Sequence, residues 1–269
     1  MSLLRVPRDV WVDRINHFLS LREIVRTHSA IAGKDTFDNI IKGTCIDENV
    51  IIGGGQHMQI KWMEAHMLHT SSIVLKKGFL LERLSFLVPH LKQMSFRAGS
   101  ILHEKHLELV TRQCASNLTG LNIRDCKMLV SDDLILSVGQ CPQLTTLSIN
   151  QAVNIDSATL AVVVKSCLHL KHLSFTHTEL EVVLDGLING PKLISLECEA
   201  ASLTQDCLTK IAAFQSKLQA LKFNRAATVD ANIDFKHLLQ TCDQLKCLHL
   251  TGLFHQIGDM LLDFDGLNL

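Results

Sequence analysis

The chain has 269 residues, of which 47% are hydrophobic, a formal net charge of −1, and no Tyr. That length is ample for a sizeable core, and the near-neutral charge leaves no electrostatic footprint for nucleic acid or an acidic membrane surface. The longest apolar runs, such as Leu160 to Val164, are far too short to span a bilayer, and Arg5, Arg8, Asp9, Asp13 and Arg14 break up residues 1–20, so neither a membrane helix nor a secretory segment is expected.

Residues 3–31 read as a small helical hairpin. Pro7 suits a first turn and Asp9 the positive helix end, while Val10, Trp11, Ile15, Phe18 and Leu19 fall mostly on one stripe. Ser20 interrupts, and Leu21 to Thr27 starts a second short helix. A piece this short buries too little apolar surface to stand alone, so it must dock on something else. Residues 33–57 are expected to be irregular, with Phe37, Ile40 and Ile41 as a third short helix. Gly53-Gly54-Gly55 is read as a turn or hinge, since no Lys-Ser/Thr follows to make a phosphate loop.

From residue 58 onward the chain becomes repetitive. Ile60, Met63, Ala65 and Met67 suggest a helix, Ser72-Ile73-Val74-Leu75 a strand, and Phe79 to Val88 another helix. Then one pattern, L-x-x-L-x-[IFLC] with a Met variant, recurs: Leu91 to Phe96, Leu118 to Ile123, Leu144 to Ile149, Leu170 to Phe175, Leu193 to Cys198, Leu218 to Phe223 and Leu245 to Leu250. The last apolar positions are separated by roughly 27, 26, 26, 23, 25 and 27 residues, within the range of leucine-rich repeats. In each run the apolar positions face inward and the residues between face out. Neighbouring strands must be parallel, which requires crossovers, usually helices. Good helix starts follow the strands at Ser131-Asp132-Asp133, Asp156-Ser157 and Thr204. Apolar residues recur behind them at helical spacing: Leu134, Ile135, Val138; Leu160, Val163, Val164; Leu208, Ile211, Ala212.

Two columns sharpen the register. Cys141, Cys167 and Cys242 each lie three residues before the first Leu of the next strand, with Gly190 and Gln215 taking that place elsewhere. Small residues, Cys126, Ala152, Thr178, Ala201 and Ala226, follow each strand where the chain turns inward. The cysteines read as small core residues, and nine of them, an odd number, point to reduced thiols and an intracellular home, cytoplasmic or nuclear. After Leu250, Ile257 to Leu262 is expected as a last helix before a partial strand, with the acidic, apolar tail either capping the solenoid or marking a truncation.

The run Leu121-Asn-Ile123-Arg-Asp-Cys126-Lys-Met-Leu129-Val-Ser131, continuing to Cys141-Pro142-x-Leu144, resembles the cysteine-containing class of leucine-rich repeat, best known from F-box proteins. Residues 3–31 in turn resemble an F-box through Pro7, Asp9-Val10-Trp11, Ile15, Phe18-Leu19, Leu21 to Val25 and the run to Ala30. The fold expected is α/β: a right-handed leucine-rich-repeat solenoid of seven to eight coils over residues 57–269, strands concave and helices convex, behind an F-box-like segment at 1–45. The resemblance implies a substrate receptor of an SCF-type ubiquitin ligase. Pro7, Trp11, Ile15, Phe18, Leu19 and Ile24 would contact a Skp-family adaptor, and through it a cullin, while the repeats hold a target protein. The same residues also allow a plainer reading, a stand-alone interaction scaffold whose N-terminal helices only cap the first coil.

Little in the sequence points to chemistry. Fourteen His and nine Cys invite a metal or Cys/His-enzyme reading, with Cys242 and Cys247 or His169 and His172 at usable spacing, but no C-x-x-C, Gly-x-Ser-x-Gly or His-Glu-x-x-His occurs. No catalytic, metal or cofactor residues are assigned. Target-binding candidates are the outward strand positions: Arg97, Asn122, Arg124, Ser148, Asn150, His172, Ser174, Glu197, Glu199, Lys222 and His249, basic early and acidic in the middle coils.

Overall fold

The computed structural model describes residues 45–52, 61, 63–65, 69–75, 90–97, 101–103, 112–124, 127–129, 132–150, 155–176, 178–226, 228–229, 233–251 and 260–263. One ten-stranded sheet runs through them. Its members are β1 (Cys45–Ile52), β2 (His69–Leu75), β3 (Gln93–Phe96), β5 (Gly120–Arg124), β7 (Thr146–Asn150), β8 (His172–Thr176), β9 (Ser195–Glu199), β11 (Ala220–Asn224), β13 (Cys247–Leu250) and β14 (Met260–Asp263), in that spatial order. Strand order follows chain order, so each coil lies beside the coil that precedes it. All pairings are parallel except β13 with β14.

The repeated pattern is met by a repeated register. Leu121 pairs with Leu147, Leu147 with Leu173, Leu173 with Leu196, Leu196 with Leu221 and Leu221 with Leu248. Each of these is buried, as are Phe96, Ile123, Ile149, Phe175, Cys198, Phe223 and Leu250 at the end of the motif. Every leucine so buried contributes on the order of 2 kcal/mol of apolar transfer. A second regularity is in the backbone. One carbonyl per coil accepts two successive amides of the next: Lys92 O takes Thr119 N and Gly120 N, and the same holds at Thr119, Thr145, Lys171, Ile194 and Gln219, at 2.7–3.1 Å. A carbonyl oxygen has two lone pairs, so both donors are satisfied at the bend into the strand.

The crossovers are short helices: α1 (Asp132–Val138), α2 (Ser157–Ser166), α3 (Leu180–Leu187), α4 (Gln205–Phe214) and α5 (Lys236–Thr241). The starts expected at Asp156 and Thr204 hold. Asp156 accepts from Thr159 N at 3.2 Å and Thr204 Oγ1 from Cys207 N at 3.2 Å, each satisfying an amide with no helical partner. Leu160, Val163 and Val164, then Val183, Leu184 and Leu187, then Leu208, Ile211 and Ala212 face the sheet.

Between strand and helix the chain makes two small parallel ladders that the repeat pattern did not announce. β4 (Ile101–His103) pairs with β6 (Lys127–Leu129), and β10 (Ser202–Leu203) with β12 (Thr228–Val229). The step out of the main sheet is tight. Ala200 and Arg225, which follow β9 and β11 directly, have positive φ of 56° and 51°. The left-handed conformation costs a side-chain-bearing residue roughly 1–2 kcal/mol, against which glycine loses some chain entropy. Ala200→Gly is therefore expected to raise stability by about 0.5 kcal/mol, read as a higher urea midpoint at unchanged slope.

Three expectations are corrected. Residues 33–57 are not irregular throughout, because Cys45–Ile52 forms β1 and joins the sheet ahead of residue 57. Asp47-Glu48-Asn49 interrupts its apolar pattern, and the pairing with β2 shifts register between Ile46 and Asn49 to absorb the interruption. Among the described residues nine parallel strands stand in line, eight of them after residue 57. Met260 to Leu262 belong to β14 rather than to a helix, with Leu262 opposite Leu248 and Met260 opposite Leu250. Asn150 lies on the outward side of the sheet but is buried there, as described below. Gly53-Gly54-Gly55, Cys126, Ala152, the hairpin at 3–31 and the helix expected at 79–88 lie outside the described residues.

Candidate binding face

Alternation along each strand sends every second residue away from the core. Register pairing then stacks these residues into columns across the sheet. One column runs Ser95, Asn122, Ser148, Ser174, Glu197, Lys222 and His249. At about 4.8 Å per strand it is roughly 29 Å long. All seven are half-buried, as side chains lying on a sheet are, and Asn122 has an Oδ1 that is buried without a hydrogen-bond partner. A parallel column begins with Gln93, Gly120, Thr146 and His172, and a third with Arg97 and Arg124, both exposed.

The candidates named from the sequence are thereby sorted. Arg97, Asn122, Arg124, Ser148, His172, Ser174, Glu197, Glu199, Lys222 and His249 all face outward. Several are already held by neighbours. Asn224 Nδ2 donates to Glu197 Oε1 at 2.8 Å, and Arg225 Nη1 lies 3.3 Å from Glu199 Oε1. Asn150 is buried. Its Nδ2 donates to Ser148 Oγ at 3.1 Å and to Ser174 Oγ at 2.9 Å, and Ser174 Oγ donates back to its Oδ1 at 3.1 Å. It braces the face instead of offering itself. The small serines on both sides leave room for the amide to lie down, which alternation alone does not reveal. The adaptor candidates Pro7, Trp11, Ile15, Phe18, Leu19 and Ile24 lie outside the described residues.

A depression of about 240 Å³ opens on this face at β3, β5 and β7, with Gly120 and Asn122 on its floor and Gln93, Ser95, Arg97 and Thr146 around it. A larger cavity of about 600 Å³ lies on the other edge of the coils, near Asp156, Glu179, Glu181 and Thr204. Its polar groups are largely spent on the fold. Asp156 caps α2, Ser157 Oγ accepts from Glu179 N at 2.9 Å, and Glu181 Oε1 accepts from Thr204 Oγ1 at 2.8 Å.

The thiols behave as core atoms. Cys141, Cys167 and Cys242 are buried in the column read from the sequence, and Cys114, Cys198 and Cys207 are buried as well. Burial pushes Cys114 and Cys167 up to about 12 and Cys141 and Cys242 up to about 11, chiefly by desolvating the thiolate. Their thiolate fractions stay negligible until the pH approaches those values. Cys247, by contrast, is half-exposed. With iodoacetamide at pH 8, mass spectrometry of the folded protein is expected to show Cys247 labelled at least tenfold faster than any of these six. Equal rates would mean that the core opens on the labelling timescale. Among the described residues no group of three or more His, Cys, Asp or Glu side chains is placed to hold a metal ion. No helix among them is long and apolar enough to cross a membrane.

Solved structures share the architecture. An internalin C2 from Listeria monocytogenes matches at a TM-score of 0.50 and 13% identity over 86% of this chain and 92% of its own. Another Listeria monocytogenes internalin, inlF, matches at a TM-score of 0.43 and 15% identity over 66% of this chain, which spans about half (53%) of that protein's length. At such identity the likeness is one of fold: the chain is an α/β leucine-rich-repeat solenoid. No family model matches the sequence, and no curated protein matches it.

Proposed function

We propose that this leucine-rich-repeat chain is a non-catalytic protein-interaction scaffold that holds a partner protein against the outward columns of its sheet. What carries the reading is the unbroken polar column from Ser95 to His249, set on a core whose register repeats coil after coil. Curved solenoids use such extended faces for binding. A rigid backbone also means that little ordering entropy is lost when a partner lands. The opposite side offers a contrast, with Val162 and Leu168 as exposed large hydrophobics.

The test is site-specific photocrosslinking in cells. A benzoylphenylalanine at Ser148 or Lys222 is expected to capture a discrete partner band, and one at Lys165 or Leu168 is not. Capture from the helical side only would overturn the assignment of the face.

A narrower version makes the chain the receptor of an SCF-type ubiquitin ligase in the cytoplasm or nucleus. Its support is the F-box resemblance of residues 3–31. On that version Pro7, Trp11, Ile15, Phe18, Leu19 and Ile24 hold a Skp-family adaptor, and ubiquitin transfer belongs to other subunits. A purified Skp-family adaptor should then be retained by the wild-type chain and lost with Trp11→Ala/Phe18→Ala, both shown folded by circular dichroism. If the folded wild type fails to retain it, the scaffold reading stands without the ligase.

A further inference from the structure

We draw no further inference here: the strongest candidate, the cavity of about 600 Å³ at the edge of the middle coils, is lined by an acidic cluster at the starts of α2, α3 and α4 whose Asp156 and Glu181 are already bonded within the fold, and no second feature there points to a ligand.

Discussion

Gly186→Ala should destabilise the protein by about 3 kcal/mol, although alanine is the better helix former by about 1 kcal/mol. Gly186 is a buried residue of α3 that lies against the backbone of α2. A methyl built there would press on Ala161 O and lie 3.0 Å from both Ala161 C and Ala161 Cα. All three are backbone atoms, so no rotamer change can relieve the contact, and the helices must move apart. Overpacking of this kind costs typically about 1–3 kcal/mol and more where the neighbour cannot yield. Urea denaturation against the wild type is the measurement. Gly120→Ala, whose new methyl would meet the Gln93 side chain no closer than 3.4 Å, serves as the near-neutral companion. A Gly186→Ala protein as stable as the wild type would mean that the helices can slide, and that the close approach is incidental.

Gln215 should be the most sensitive polar residue of the core. It is fully buried, in the column that cysteine fills at Cys141, Cys167 and Cys242. Its Oε1 accepts from Leu193 N at 2.8 Å and its Nε2 donates to Pro191 O at 3.3 Å. Both partners belong to the preceding coil, where the column position is Gly190. A side chain at Gly190 is barred, since its Cβ would come within 2.7 Å of Gly186 O. The longer amide of the next coil fills the gap and satisfies the backbone there. Cys242, with a similar role one coil later, places its Sγ 3.6 Å from Gln215 O. Removing the amide leaves a donor and an acceptor unpaired in the core, at about 1–3 kcal/mol each. Gln215→Leu is expected to cost about 3 kcal/mol, nearly as much as Gln215→Ala, even though leucine keeps most of the volume. If Gln215→Leu were near neutral, packing rather than hydrogen bonding would be what the position supplies.

How much of this was legible depended on whether a feature recurs. Leu147 and Leu173 are in register because the same spacing places both, and a period visible seven times is hard to misread. Asp156 and Thr204 announced their helices by local chemistry that needs no tertiary context. β1 escaped because the acids of Cys45–Ile52 break the period and a register shift absorbs them. β14 escaped because Met260-Leu261-Leu262 is too short a run to separate strand from helix by periodicity. On the face, alternation found the outward positions correctly but not their surroundings. That Asn150 is buried follows from serines at Ser148 and Ser174, on its own strand and the next, and that Asn122 keeps an unmet oxygen is a fact of three neighbouring strands together. The small residue after each strand was legible in Ala201, which is buried, but the positive φ at Ala200 beside it was not, because nothing in an alanine signals that backbone.

The shared carbonyls have a bearing on how the molecule assembles. Each ties a coil to the one before it across nearly the same length of chain, roughly 23 to 27 residues. Adding a coil to an existing stack therefore closes a loop of almost constant size, and the entropy of that step varies by only roughly 0.1 kcal/mol from one coil to the next. Growth of the stack is thus even-handed in its chain entropy, and the order in which coils form is left to their side chains. The pair Gly190 and Gln215 then acts as a check on that order. The coil of Gly190 has its backbone fully satisfied only once the coil of Gln215 has folded onto it, so these two coils form, and come apart, as one unit.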